Sequence, residues 1–214
     1  MLLKTELNLV KCFSPILFIA AMYSSSSHAY VIDCSAQASS QSLCHERLSK
    51  QREQFNDLSL TTLLITDAPI KLVKDSQQLW LERTQQCKNF TCFNQQFEQR
   101  IDQLNIFTSL NQSLTQHYLK FENGQIAKQP VHLQIHQLSK NNIKIEGVAY
   151  RNPNNRLDKQ SIPFLAYSSP EEKQQIHDNE NTCNYDFKYQ KAILIVSTEQ
   201  KGCERFSGIY RLYD

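Results

Sequence analysis

Two histidines four residues apart, His132 and His136, have the spacing of a metal-binding pair. On a helix, His-x-x-x-His places both imidazoles on one face, where they can share a zinc ion. Here the apolar residues Val131, Leu133 and Ile135 alternate with polar ones, which predicts a half-buried strand. Four strand residues span about 13 Å, whereas zinc needs its nitrogens about 2 Å from one ion. We therefore expect structural or solvent-facing histidines and no metal site.

The remaining histidines and motifs do not predict an enzyme. His45, His117 and His177 are isolated in polar contexts, without a nearby nucleophile and acid. The sequence has no Gly-x-Ser-x-Gly elbow, no phosphate-binding glycine loop and no His-Glu-x-x-His, and its four glycines leave few tight turns around a cofactor. Glu171 and Glu172 lie in the first turn of a predicted helix, where negative charge is stabilising. We predict no catalytic residue, no cofactor and no enzymatic activity.

Three residues are candidates for contact with a protein partner: Arg100, Ser207 and Tyr210. Arg100 is flanked by Phe97 and Ile101, so its stem is expected to pack on the core while its head meets a local carboxylate or a partner. Ser207 and Tyr210 lie in a predicted closing strand, beside a glycine that permits a bend or close packing.

A helical first half is predicted to position Arg100. One helix is expected at about residues 43–66 and a second at about 69–86, with the single tryptophan, Trp80, as a core residue of the second. Large apolar residues then recur at steps of three and four, which predicts one face of a third helix about seven turns long. They are Phe93, Phe97, Ile101, Leu104, Phe107, Leu110, Leu114 and Tyr118.

The second half changes to the alternation typical of strands. Strands are predicted at about residues 131–136, 144–150, 162–167, 187–189, 192–197 and 206–213, and the third is edge-like because of Pro163. A brief helix is predicted to start at Ser169. The predicted class is α+β: a disulfide-stapled three-helix domain at residues 30–120, then a small antiparallel β-rich domain, curled or barrel-like, at 121–214.

Residues 1–29 are typical of a secretory signal peptide. Lys4 and Lys11 precede an apolar stretch at 13–23, and a small polar segment ends at Ala29. Eleven residues are too few to span a bilayer, which needs about 20, so we expect cleavage and no stable membrane insertion. The predicted location is the periplasm or the extracellular medium.

Six cysteines follow this segment: Cys34, Cys44, Cys87, Cys92, Cys183 and Cys203. An even number behind an export signal predicts three disulfides. Spacing favours bonds between consecutive cysteines, although crossed pairing among the first four remains sterically open.

Charge gives no indication of nucleic-acid binding. Residues 30–120 contain nine basic and nine acidic residues, and residues 121–214 contain twelve and eleven. Neither half has the basic stripe with interleaved aromatics that a polyanion partner requires.

The run around the central cysteines resembles a known family. Trp80-Leu81, Cys87, Cys92-Phe93, Phe97, Arg100-Ile101 and Leu104 are similar to the pattern of the lysozyme inhibitor LprI, N-terminal domain family, as are Asp33-Cys34-Ser35 and Leu43-Cys44 upstream. Arg83 lies one place earlier than that family's arginine. The resemblance covers roughly residues 31–118 and implies a small secreted or periplasmic helical domain that binds protein.

We therefore predict a non-enzymatic, disulfide-bonded periplasmic protein-binding protein. The specific activity that the resemblance implies is lysozyme inhibition. The expected partner is lysozyme or another envelope protein. Two alternatives remain: an envelope-associated interaction module without inhibitory activity, and a binder of a small apolar ligand inside the β-rich half. An exposed apolar patch would favour the module, and an enclosed apolar cavity would favour the ligand binder.

Overall fold

The computed structural model describes residues 31–35, 42–109, 111–157 and 159–213. The predicted signal peptide, residues 1–29, lies outside the described residues. Three helices are followed by an antiparallel sheet that curls into a nearly closed barrel, which confirms the predicted α+β class. The helices cover one side of the barrel, and a buried interface separates the two layers.

The helical layer begins after a single 3-10 turn, Glu46–Leu48, and comprises α1 (Ser49–Ile65), α2 (Ile70–Gln85) and α3 (Phe90–Ser109). The bounds of α2 and the end of α1 agree with the predicted helices, whereas α1 begins at Ser49 and not at about residue 43, because turns precede it. Pro69 immediately precedes α2, at a position where its missing N–H costs no intrahelical hydrogen bond.

Trp80 lies at the centre of the helical layer, as predicted for a core residue. Its ring stacks on Phe55 of α1 at a centroid distance of 4.7 Å and meets Phe97 of α3 edge-on at 5.4 Å. The indole Nε1 donates a hydrogen bond to the carbonyl of Gln96 at 2.8 Å. Because each helix contributes one buried ring, this cluster holds the three helices together.

All strand pairs are antiparallel. The strands are β1 (Thr115–Glu122), β2 (Gln125–Ile126), β3 (Val131–Gln137), β4 (Ile143–Tyr150), β5 (Ser161–Ser168), β6 (Gln175–Asp178), β7 (Cys183–Gln190), β8 (Ile193–Ser197) and β9 (Gly208–Tyr213). Their order in the sheet is β5-β4-β3-β1-β9-β8-β7-β6, and the short β2 pairs with β1.

The two ends of this order come together and nearly close the barrel. The Asn179 N–H donates to the Leu165 carbonyl at 2.8 Å, and the Leu165 N–H donates to the Asp178 carboxylate at 3.1 Å. β5 is therefore the predicted edge-like strand, and it contains Pro163. The side chain of Asp178 substitutes for part of the missing backbone ladder at the seam.

The predicted continuation of the third helix to Tyr118 is wrong. α3 ends at Ser109, a 3-10 turn follows at Gln112–Leu114, and Tyr118 lies in β1. The Asp67 carboxylate accepts the N–H of Gln112 at 2.7 Å and so stabilises the change of direction. A strand is favoured because β1 lies between β3 and β9, which pair with its backbone on both sides. The predicted domain division at residue 120 falls inside β1, and Leu110 lies outside the described residues.

The predicted helix at Ser169 is also wrong. Its cap forms, since the Ser169 hydroxyl accepts the N–H of Glu172 at 3.2 Å, but residues 170–174 are turns and the chain continues as β6. Pairing of β6 with β7 provides the backbone with partners that a single helical turn could not supply.

Side chains of β1 and β3 alternate between the barrel interior and the helices. Val131, Leu133 and Ile135 face the interior, with rings from the other strands, whereas His132 and Leu119 face the helical layer. The interior is filled around Phe164, whose ring lies 5.1–6.2 Å from the rings of Phe206, Tyr185 and Phe187.

The disulfides are Cys34–Cys44, Cys87–Cys92 and Cys183–Cys203, with Cα–Cα distances of 5.5, 5.5 and 5.9 Å. The predicted pairing of consecutive cysteines is confirmed, and crossed pairing does not occur. Two bonds lie in the helical layer and its N-terminal approach, and the third joins the start of β7 to the loop before β9.

Candidate functional site

The three residues predicted to contact a partner are not displayed together. Arg100 and Tyr210 are 1% and 0% exposed, and the Tyr210 hydroxyl donates to the carbonyl of Phe206. Neither side chain is therefore exposed on the surface that this structure presents. Ser207 is half-buried, and its Oγ has no hydrogen-bond partner among the described residues.

Gly208 has the close-packing role predicted for a glycine in this strand. Its φ is +147°, and a Cβ built on it would lie 2.5 Å from Cε of the buried Lys120. Only glycine adopts this backbone region without strain. Tyr210 accordingly lies in the tightly packed closing strand β9, whereas Ser207 immediately precedes that strand, after a 3-10 turn at Glu204–Phe206.

Arg100 is held by neutral groups, which makes the predicted local carboxylate wrong. Its Nε donates to Oε1 of Gln77 at 3.0 Å, and its Nη1 donates to Oγ of Ser76 at 3.0 Å and to Oε1 of Gln103. Burial lowers the pKa of the Arg100 guanidinium to about 10, which still leaves it charged at neutral pH.

A second buried arginine, Arg83 of α2, was not predicted as a site residue and is 3% exposed. Its Nε donates to Oε1 of Gln96 at 3.0 Å, its Nη1 donates to the Arg151 carbonyl at 2.9 Å, and its Cζ lies 5.0 Å from the centroid of the Tyr150 ring. Its Nη2 is buried without a hydrogen-bond partner among the described residues. Burial lowers the pKa of Arg83 to about 10.

Arg83 and Arg100 line one cavity of about 30 Å³, here named the arginine pocket. It lies where α2 and α3 face the outer side of the sheet, and Leu79, Trp80 and Tyr150 also line it. Within the described part of the chain, the ion pairs between charged groups involve Lys71, Lys120 and Lys144, not these arginines. Two positive charges are thus buried together without a described carboxylate beside them.

A wider cleft of about 160 Å³ adjoins the arginine pocket. The two share Gln99, Gln103, His132 and Tyr150 as walls. The outer cleft adds the apolar side chains of Phe107 and Val148 and the exposed carboxylate of Asp102. A ligand could therefore place a small anionic head in the pocket and an apolar portion in the outer cleft.

Three histidines form a buried row on the helix-facing side of β1 and β3. Nδ1 of His117 and Nε2 of His132 are 3.2 Å apart, so the predicted isolation of His117 in a polar context is wrong. Burial lowers the pKa of His117 to about 4 and holds the pKa of His132 well below its ordinary value. Burial also lowers the pKa of His136, whose Nδ1 lies 2.9 Å from Oγ1 of Thr115 and whose Nε2 lies 3.2 Å from a Glu146 oxygen.

The strand predicted for His132 and His136 is confirmed by β3. Among residues 31–35, 42–109, 111–157 and 159–213, no group of three or more His, Cys, Asp or Glu side chains is arranged to hold a metal ion. The buried histidines are neutral hydrogen-bonding groups, and of the three His132 lines the cleft.

A different kind of surface lies where α1 meets α2. Leu60, Leu64, Ile65 and Ile70 are 48%, 83%, 62% and 49% exposed, and we name this group the apolar corner. Leu60 and Leu64 lie one helical turn apart on the same side of α1. Ile65 ends that helix, and Ile70 begins the next.

The fold and the disulfides define a disulfide-bonded α+β protein of a non-cytoplasmic compartment, because such bonds persist where the environment is oxidising. No helix within the described residues is long and apolar enough to span a membrane. No protein-family model, curated protein or solved structure matches the chain.

Proposed function

We propose that the chain is an exported, non-enzymatic protein-binding module that docks through the apolar corner. The observation that carries this proposal is the exposure of four large aliphatic side chains between Leu60 and Ile70. Scattered single apolar residues are normal on a protein surface, whereas a group at one corner is typical of an interaction site. Burial of this group against a partner would remove it from water and drive association.

The apolar corner favours an envelope-associated interaction module over the specific role of lysozyme inhibitor. An inhibitor would have to fill the lysozyme cleft and mask its catalytic carboxylates. Of the residues predicted for such contact, Arg100 and Tyr210 are buried and Ser207 is half-buried. Lysozyme inhibition is therefore retained as one outcome of the test, on the basis of the family resemblance alone.

The interior of the barrel does not favour the apolar-ligand alternative. Phe164, Phe206, Tyr185 and Phe187 occupy it in mutual contact, together with aliphatic side chains from the surrounding strands. A carrier of an apolar ligand needs an interior cavity, and these side chains fill the space that it would occupy.

The test is site-specific photo-crosslinking of the exported, oxidised protein with a photoreactive residue at position 64. We expect an adduct of one defined mass with an envelope protein. Unlabelled wild-type protein should compete it away, whereas the variant Leu64→Gln/Ile65→Gln should compete at least about 10-fold less well, as for an interface centre. Leu138→Gln is the matched control, because Leu138 is a similarly exposed leucine (57%) on the barrel.

Equal competition by Leu64→Gln/Ile65→Gln and wild type would refute docking at this corner. An adduct only with a second copy of the chain would replace the proposed partner by self-association. Inhibition of lysozyme turnover that is lost in the same variant would identify the partner as lysozyme, and inhibition that is unchanged would place that activity elsewhere.

A further inference from the structure

We propose that the arginine pocket binds the carboxylate of a small organic monocarboxylic acid, with the rest of the acid in the adjoining cleft. This site is independent of the apolar corner, which lies at the junction of α1 and α2. The proposal rests on buried charge, on an unused hydrogen-bond donor and on the sizes of two adjoining spaces.

The first support is charge. Arg83 and Arg100 are 3% and 1% exposed, and their described partners are amide, hydroxyl and carbonyl oxygens, all of them neutral. An ionised group removed from water without a counter-charge is strongly destabilising. A bound anion would supply the missing charge.

The second support is an unused donor. Nη2 of Arg83, a residue that lines the pocket, is buried without a hydrogen-bond partner among the described residues. A carboxylate is an acceptor-only group with two oxygens, and its planar fork matches guanidinium donors. A neutral ligand could accept this hydrogen bond but would not supply the missing negative charge.

The third support is size. The arginine pocket has a volume of about 30 Å³, enough for roughly two water molecules and therefore for a carboxylate head. A phosphate or sulfate ester carries a bulkier tetrahedral head. The cleft of about 160 Å³, which shares four walls with the pocket, leaves room for a short carbon chain.

The walls of the outer cleft determine which acids fit. Phe107 and Val148 favour an apolar chain, whereas the carboxylate of Asp102 would repel a second negative charge. The ligand class is thus an acid with one carboxylate and a short apolar chain, and a dicarboxylate of similar length should bind more weakly.

The experiment measures thermal unfolding of the exported, oxidised protein during titration with propionate, succinate and inorganic phosphate at constant ionic strength. Ligand that binds only the folded state raises the Tm, and at 100-fold excess over its Kd a rise of about 5 to 10 °C is expected for a chain of this size. Propionate should produce this rise, and succinate and phosphate should require at least about 10-fold higher concentrations, equivalent to about 1.4 kcal/mol.

Arg83→Gln and Arg100→Gln should each abolish the propionate-dependent rise in Tm, because each removes one of the two charges. Arg156→Gln is the matched control, because Arg156 is exposed in the β4–β5 loop, and it should respond like wild type. If the arginine variants do not fold, the wild-type protein alone decides: nuclear Overhauser effects must connect the propionate methyl group to the ring protons of Phe107.

Three results would overturn the proposal. They are equal shifts with all three anions, an undiminished propionate shift in a folded arginine variant, and the absence of a ligand contact to Phe107 in the wild-type protein. Loss of the partner adduct at the apolar corner would leave the propionate response unchanged, so the two proposals fail separately.

Discussion

The inner side of β3 carries Val131, Leu133 and Ile135, whereas its helix-facing side carries His132, Gln134 and His136. Both sides are buried, but one carries apolar side chains and the other carries polar ones. The inner side packs into a continuous apolar core, whose aliphatic side chains need no hydrogen-bond partners. The helix-facing side keeps histidines, glutamines and arginines away from water, and several of their polar atoms lack a partner in the described residues.

This difference indicates where stability and function reside. An unsatisfied buried polar group is destabilising, so native proteins contain few of them and usually at functional positions. Arg83 and Gln134 have such atoms and line the spaces between the helices and the sheet, and His117 has one beside Phe107 of α3. The barrel interior is therefore the apolar support, and the proposed carboxylate site lies in the interface.

The largest expected effect tests the barrel interior. Phe164→Ala removes a ring that contacts three other rings, and we expect a loss of about 3–5 kcal/mol in the free energy of unfolding. Tyr167→Ala is the control on the same strand; because Tyr167 is 62% exposed, it should change stability by less than about 0.5 kcal/mol. Urea unfolding with the disulfides intact measures both. Similar losses for the two variants would show that the interior is not the dominant support.

A smaller effect tests the histidine row through pH. The pKa of His117 is lowered to about 4 in the folded state, below its ordinary value of about 6.5, so the unfolded chain binds the proton more readily. Stability is therefore complete above about pH 6.5 and falls as the pH drops towards 4. We expect His117 alone to account for about 2 kcal/mol between pH 7 and pH 5.

The measurement is urea unfolding at a series of pH values. His117→Gln/His132→Gln should flatten the slope between pH 7 and pH 5, because both buried imidazoles are removed. His177→Asn, which changes an exposed histidine on β6, should leave the slope as in wild type. A steep slope that survives in the double variant would assign the pH dependence to other groups.

The smallest effect has the opposite sign. Gln134→Met replaces a buried side chain whose Oε1 has no described partner by an apolar one of similar shape, so we expect stabilisation by up to about 1 kcal/mol. Gln137→Met, at an exposed position of the same strand, should be neutral within about 0.5 kcal/mol. Destabilisation by Gln134→Met would mean that the polar interface does contribute to folding, and the contrast between the two sides of β3 would fail.

Local patterns were sufficient for much of the fold. The alternation at residues 131–136 predicted β3. Asn123-Gly124, a pair typical of tight turns, forms the turn between β1 and β2, and both residues have positive φ. β1 was missed because Leu114 and Tyr118 continue the helical spacing of α3. Its strand conformation depends on β3 and β9, and the latter lies about 90 residues further along the chain.

The arginine pocket was missed for a related reason. The pocket forms only because the sheet packs on α2 and α3, which brings together Arg83, Arg100, His132 and Tyr150. The spacing of these residues along the sequence does not indicate that packing. One signal was nevertheless readable. Gln96, Gln99, Arg100 and Gln103 form a polar stripe at steps of three and four beside the apolar stripe of α3. Neutral acceptors around an arginine at these positions are typical of a buried charge held without a carboxylate.

The disulfides join cysteines that follow one another in the chain, 10, 5 and 20 residues apart. A chain that enters an oxidising compartment N-terminus first therefore exposes each thiol together with its correct partner before the next pair arrives. Each bond can form without a distant cysteine, and no earlier disulfide has to be broken to free a cysteine for its partner. Oxidation of these six cysteines in order of emergence would give the observed pairing directly, without a step of disulfide rearrangement.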